Sequence, residues 1–392
     1  MFNLNKSFFS VGFEFVLVNK PLPYDLFINS SAIVEKEKFV RIFPNGGVLS
    51  KEDLHGFKKK YHQLYILEEQ RDSYLRSLVQ CETVDDIAKS EVIKDSAIVY
   101  LSKIFDEGKE FTTEYLGEAI SGCRDSVESM IDVIKDYDVK KVQELIGNLS
   151  FHDFYTYDHS INVSMYNIIL FQALKPKASR EEIVMAGLGG LLHDLGKIKI
   201  PTTIINNPGK LSDEEFAEIK KHPDYGKTLL AEGNYEMPGV NFEVISRIIH
   251  EHHENFNGTG YPSKMHGEKI HVLARITAIA DFFDALTTKR SYHEVLSVED
   301  ALEVMGKTVG KKIDPHLFDL FVKNVSNIVL KGKVKEVLPD DFDPCQPHAA
   351  LPFQKAPVNY KDQNIFKDTK QKEFGKIKGD FSLNDDKKKK AS

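Results

Sequence analysis

Cysteine is scarce. The three present, Cys81, Cys123 and Cys345, are scattered through 392 residues with no pairing in their spacing. That argues against a disulfide framework and a cysteine-ligated metal, and it fits a reducing cytoplasm. Long apolar runs are missing too. No stretch approaches the roughly 20 apolar residues that a membrane span needs. The opening MFNLNKSFFSVGFEF lacks the charged start and cleavage site of a secretory signal, so a cytoplasmic location is expected. Positive charge is not in excess either: a net charge of −7 gives no basis for a nucleic-acid polymer as partner. Internal repeats are absent. What remains is 41% hydrophobic and 28% charged, the balance of an ordinary globular protein with material for two or three domains.

Four textures follow one another. Residues 1–82 carry the short β-rich runs FEFVLV, YDLFIN and KFVRIF, a PNGG turn, a polar helix opening at Ser50, and one more strand in YHQLYIL. They read as a small α+β domain. It lacks a charged constellation suited to catalysis, so a sensory or regulatory role is its default. Residues 83–149 are helical by pattern, as in AIVYLSKIF and SVESMIDVIKDYDVKKVQELIGNL, and suit a connector, a dimerising pair, or the first helices of the next domain. Residues 150–335 read as successive helices, two of them opened by the capping-box spacings Ser179 to Glu182 and Ser212 to Glu215. Residues 336–392 hold prolines at 339, 344, 347, 352 and 357 and a lysine-rich end, the composition of a disordered or surface-draped tail.

Within 150–335, several chemistry-bearing side chains fall on apolar faces. His159, Val163, Tyr166 and Leu170 form one helical stripe. An almost wholly apolar helix ends in His193 and Asp194. Ile245, Ile248, Ile249 and His252 share a face beside His253, and Asp281 aligns with Ala274, Ala278 and Ala285. One inward histidine is more often a satisfied core residue than a ligand. An ionised carboxylate buried without a partner, however, costs several kcal/mol. Imidazoles and carboxylates converging from several apolar helices are what a divalent metal site demands.

The run His193-Asp194-Leu-Gly-Lys197-Ile-Lys-Ile-Pro201, then His222-Pro223, His252-His253-Glu254 and Gly260-Tyr261-Pro262, resembles an HD-GYP domain, as does Asp281 followed nine residues on by Arg290. Members of this family are helical, metal-dependent phosphodiesterases of the HD superfamily that degrade cyclic di-GMP. The resemblance implies a mainly α protein, with an all-helical catalytic domain behind the small α+β N-terminal regulatory domain. It implies two divalent metal ions, iron or manganese. His159, His193, Asp194 and Asp281 correspond to the ligands of one, and His222, His252 and His253 to those of the other, with Asp194 bridging. A metal-bridging hydroxide would be the nucleophile. Lys197 resembles a lysine that steadies the scissile phosphate, although a lysine there also suits a helix C-terminus. Gly260, Tyr261 and Pro262 would form the lip of the pocket, and Arg290 would bind phosphate.

The chain departs from the family in three places. Tyr155 stands where some members carry a glutamate for a third metal, which implies two metals and a linear pGpG product in place of GMP. Asn255, Phe256 and Asn257 replace three residues of the usual lip, and His293 stands where a basic phosphate contact is common. Two further functions remain open at this point: a low-turnover cyclic-dinucleotide effector, and a phosphodiesterase for another cyclic dinucleotide such as cyclic GMP-AMP. A homodimer and protein partners acting through the N-terminal domain complete the expectations.

Overall fold

A computed structural model describes residues 7–31, 37–105, 112–149, 155–205, 211–233, 235–288 and 296–325, apart from the side chains of residues 155 and 156. The expected tail at 336–392 therefore lies outside the described residues. The chain divides into two compact units after Asp85, and its described residues are mainly helical, with one small sheet among them near the N-terminus.

The N-terminal unit is a four-stranded sheet in the order β1-β4-β2-β3 (β1 Phe8–Val11, β2 Leu26–Asn29, β3 Phe39–Phe43, β4 Leu64–Leu67). Every pairing is antiparallel. Alternation along β1 sends Phe9 and Val11 inward, where Phe9 meets the buried Tyr74 of α2 (Arg71–Val79) at 5.5 Å between ring centroids. Helix α1 (Lys51–Lys60) opens at Ser50 through a capping box with Asp53. The run FEFVLV is not a strand. Its first three residues, Phe13–Phe15, form a single 3-10 turn stabilised by Phe15 N–H to Gly12 carbonyl, 3.1 Å. The β1 strand lies just before it and stops where its pairing partner β4 begins, at Val11 opposite Leu64. Phe13, Val16 and Leu17 are buried, so hydrophobicity there reflects core filling and not a ladder.

The second unit begins with α3 (Asp86–Ile104), α4 (Thr113–Ile134) and α5 (Val139–Asn148) and continues with α6 (Tyr155–Leu174) and α7 (Arg180–Leu192). Helices α3, α4 and α5 all pack on α6, and α4 also on α7. Short α8 (Thr202–Ile205) and α9 (Asp213–Ile219) lead to α10 (His222–Glu232), α11 (Phe242–Glu251), α12 (Val272–Thr287), α13 (Val298–Gly306) and α14 (Pro315–Asn324). Both expected capping boxes are present, Ser179 with Glu182 and Ser212 with Glu215.

Helix α6 is the axis of this unit. Residues 158–171 are buried without interruption, because α3, α5, α7, α12 and α14 surround it. Several of its polar side chains find partners there, as a dry interior favours. Ser164 Oγ donates to the Gly187 carbonyl at 2.8 Å. Asn167 Nδ2 donates to the Ala186 carbonyl and to Thr277 Oγ1. Asp158 pairs with Lys94 of α3 at 2.7 Å, both almost wholly buried. These bonds fix the rotation of α6 about its own axis, and with it the direction in which His159 points. Among the described residues no helix is long and apolar enough to cross a membrane.

Candidate metal centre

Three histidines are set by one local device. His193 follows the last turn of α7, His222 opens α10 and His252 follows the last turn of α11. In each, Nδ1 lies 2.7–2.8 Å from the carbonyl oxygen three residues earlier, that of Gly190, Ile219 and Ile249 respectively. A carbonyl only accepts, so Nδ1 carries the proton. In the neutral imidazole, Nε2 is then a bare lone pair directed away from its own backbone.

Those lone pairs converge. His222 Nε2 lies 3.2 Å from His252 Nε2, and the Asp194 carboxylate lies 3.3 Å from both His193 Nε2 and His222 Nε2. Burial pushes His222 down to about 4 and His252 down to about 3, helped for His252 by His193 and His222 beside it. Burial, with His252 and His222 beside it, holds His253 well below its ordinary value. Acceptors facing acceptors in a site that resists protonation repel one another, unless a cation lies among them. Neutral imidazoles with a carboxylate are the donor set of a divalent transition metal, so the residues fit such an ion.

Asp194 belongs to two groups of donors. One comprises Asp194, His222, His252 and His253, the other His159, His193 and Asp194, and within each the ligand atoms lie within 4.8 Å of one another. Burial would raise the Asp194 carboxyl, but its interactions with His193, Lys197 and His222 outweigh it and hold it well below the usual range. Lys197, on the 3-10 turn Leu195–Lys199, places Nζ 2.6 Å from Asp194 Oδ2. Asp281 of α12 adjoins the second group through His159, whose Nε2 is 3.0 Å from its Oδ1. Burial alone would lower the His159 imidazole; hydrogen bonds to Asp281 and Asp284 together hold it up at about 9.

The loop after His253 folds back over the site. Gly258 N–H bonds the Asn255 carbonyl and Tyr261 N–H the His253 carbonyl, at 2.8 and 3.2 Å. A Cβ at Gly260 would stand 2.2 Å from Asn255 N and 2.5 Å from the His253 carbonyl oxygen, so only glycine fits this return. Tyr261 consequently stacks on His253, with centroids 4.8 Å apart and 23° between planes. The following Tyr261–Pro262 peptide is cis.

The structure thus brings together His159, His193, Asp194, Lys197, His222, His252, His253 and Asp281, with Gly260, Tyr261 and Pro262 at their rim. Arg290 and His293 lie outside the described residues, as does the side chain of Tyr155, on which the choice between two and three metals depends. Sequence reasoning gave Glu254 no role. It is 3% exposed, and its two oxygens accept from Ser263 N–H and Met265 N–H at 2.6 and 3.0 Å, holding the returning loop. Its place directly after the paired histidines was the available signal. Asp284, one turn after Asp281, reads equally from sequence as a ligand's support or an ordinary buried acid. It lies 2.7 Å from His159 Nδ1.

Residues 158–317 match the family model described as HD domain. The chain is 34% identical over 242 residues to a cyclic di-GMP phosphodiesterase of Pseudomonas aeruginosa, covering 61% of this chain and 56% of the relative. It is 36% identical over 149 residues to a 3'3'-cGAMP-specific phosphodiesterase of Vibrio cholerae, covering 38% of this chain and 27% of that relative. It therefore spans about half of the first relative's length and about a quarter of the second's. Among solved structures, an HDGYP protein from Bdellovibrio bacteriovorus shares the fold, with a TM-score of 0.51 and 21% identity over 82% of this chain and all of that one. The helical fold, the match and the donor clusters agree on one region: residues 158–317 of this chain are similar to an HD domain.

Proposed function

We propose that this chain is a metal-dependent phosphodiesterase that hydrolyses cyclic di-GMP to linear pGpG. The observation that carries the reading is the buried meeting of the His222 and His252 Nε2 atoms around the shared Asp194 carboxylate. His159, His193, Asp194 and Asp281 would hold one divalent cation, and His222, His252 and His253, with Asp194, the other; iron or manganese suits this mix of imidazole and carboxylate. Such ions would supply Lewis acidity toward a phosphoryl oxygen and acidify water near neutral pH.

The chain's own residues do the rest. Lys197 brings an ammonium group beside Asp194 and would bind a phosphate oxygen as negative charge grows there. Tyr261 offers an aromatic face at the rim for a guanine, and Glu254 keeps that rim in place. Arg290 and His293 would add phosphate contacts. Replacement of the family glutamate by Tyr155 supports two metals and a reaction that stops at the linear product. The same reading includes a cytoplasmic location, a homodimer, and control by protein partners through the N-terminal unit. Scattered cysteines support the first of these, and the absence of a catalytic constellation in residues 1–82 supports the last.

A second reading differs only in substrate. Relatives in Vibrio cholerae are named as 3'3'-cGAMP-specific phosphodiesterases, which supports cyclic GMP-AMP as an alternative. Anaerobically purified protein loaded with ferrous iron or manganese would be given each cyclic dinucleotide, with products separated by chromatography. Accumulation of pGpG that disappears in Asp194→Ala is the expected result, and faster turnover of cyclic GMP-AMP would favour the second reading. Fully metallated protein that binds either nucleotide without product would instead be a receptor.

A further inference from the structure

Asp284 is wholly buried on α12 and is not among the residues assigned to hold a cation. Its Oδ2 lies 2.7 Å from His159 Nδ1. Its Oδ1 accepts from Asn162 Nδ2 at 2.9 Å and from Thr288 Oγ1 at 2.6 Å. The other three buried site histidines whose Nδ1 bonds are described use a backbone carbonyl. His159 lies inside the continuous helix α6, where the carbonyls of the preceding turn are committed to the helix itself. A carboxylate from a neighbouring helix takes the carbonyl's place.

We propose that Asp284 is a positioning residue: by accepting the Nδ1 proton of His159 it aims that ring's Nε2 at one cation of the pair, and it leaves the other cation's ligands untouched. The inference rests on the two-cation reading above. The hydrogen-bond inventory makes the role specific. Asn162 and Thr288 hold Oδ1, so Oδ2 stays directed at the imidazole. In Asp284→Asn, the amide nitrogen must face either these two donors or His159. If it turns to His159, the ring must accept at Nδ1, and its remaining proton moves to Nε2, the atom needed as a ligand.

The test is metal content and affinity of the full chain, titrated with manganese in a chelator buffer. Wild type is expected to hold two ions. Asp284→Asn is expected to hold one tightly while the second weakens by about 10–100-fold, the usual effect of losing such a support. His252→Ala in the Asp284→Asn background should then remove the ion that remains. Two ions held by folded Asp284→Asn with affinities within about twofold of wild type would overturn the inference, whereas wild type holding fewer than two would overturn the two-cation reading instead. Should Asp284→Asn fail to fold, nitrogen-15 NMR of histidine-labelled, zinc-loaded wild type decides. A proton on Nδ1 of His159 supports the assignment, and a bare Nδ1 sinks it.

Discussion

Adding one methyl group at Gly196 should dismantle the site without replacing a candidate ligand. A Cβ there would stand 1.9 Å from the His222 carbonyl oxygen, 2.5 Å from Gly226 N and 2.8 Å from the His222 carbonyl carbon. All three are backbone atoms, so no side chain can rotate aside. The gap to the carbonyl must open from 1.9 Å to ordinary contact at 3.4 Å or beyond, which pushes the 3-10 turn of Leu195–Lys199 away from the start of α10. Asp194 precedes that turn and His222 opens that helix, and their side chains now meet at 3.3 Å. Overpacking of this kind costs about 1–3 kcal/mol, or roughly 2–12 °C in melting temperature for a unit of this size. The functional effect should be larger. Misplacement by about 1 Å can cost 100-fold in rate, so Gly196→Ala should lose about two orders of magnitude in turnover and much of its metal. Gly226→Ala is the control: its Cβ meets the Ile249 side chain at 2.5 Å and Gly196 N at 3.1 Å, and a side chain can yield. Thermal melts, metal content and pGpG formation would be compared across the three proteins. A Gly196→Ala protein with wild-type metal affinity and turnover would refute the reasoning, because the two backbones would then be free to part.

Lys197→Met should keep both metals and lose about 100-fold in kcat, the scale of removing one electrostatic contact from a developing charge; unchanged kcat would restrict Lys197 to charge balance at Asp194. Glu254→Gln sets an amide N–H₂ against Ser263 N–H or Met265 N–H, a mismatch worth about 1–3 kcal/mol. Hydrogen exchange at residues 260–265 should quicken and KM should rise about tenfold, and protection equal to wild type would show that the loop holds without it. Metal-free protein should be most stable near pH 6.5. Below that, unfolded His222 and His252 bind protons that the folded rings, held at about 4 and about 3, refuse, so stability falls with acid. His159, held at about 9, contributes fully below its unfolded value of about 6.5 and loses that contribution as pH rises through 9. A melting temperature that climbs steadily across pH 5–9 in chelator would contradict this.

The residues that converge were visible in sequence more clearly than the framework that carries them. The stripe of His159, Val163, Tyr166 and Leu170 predicts one inward face, yet α6 is buried all round. Periodicity reports which face is most apolar; it does not report how many helices will surround the element. The buried Lys94–Asp158 pair was invisible for the same reason, since it joins residues 64 positions apart on helices whose packing no local pattern encodes. The run FEFVLV misled because β-branched and aromatic residues fill a core from a turn as readily as from a strand. Capping boxes, by contrast, are closed within four residues, and both expected ones form.

The two adjacent pairs, His193-Asp194 and His252-His253, were legible because of what a helix cannot do. Consecutive residues in a regular α-helix point about 100° apart, so a pair can serve one centre only where the helix stops. His193 keeps helical angles at −53° and −35°, while Asp194, at −93° and 12°, has left the helix. His252 likewise ends α11, and its ring and that of His253 lie 4.1 Å apart between centroids. A helix end also leaves carbonyls without intrahelical donors, and His193 and His252 use one each, those of Gly190 and Ile249, to fix their Nδ1 protons. Termination therefore supplies both the change of direction and the hydrogen bond that turns Nε2 inward. An apolar helix ending in two residues able to coordinate a metal points to this geometry from the local sequence alone. Where a candidate ligand sits in mid-helix, as His159 does, neither benefit is available and another helix must provide the acceptor, which is the part of the site that one sequence cannot reveal.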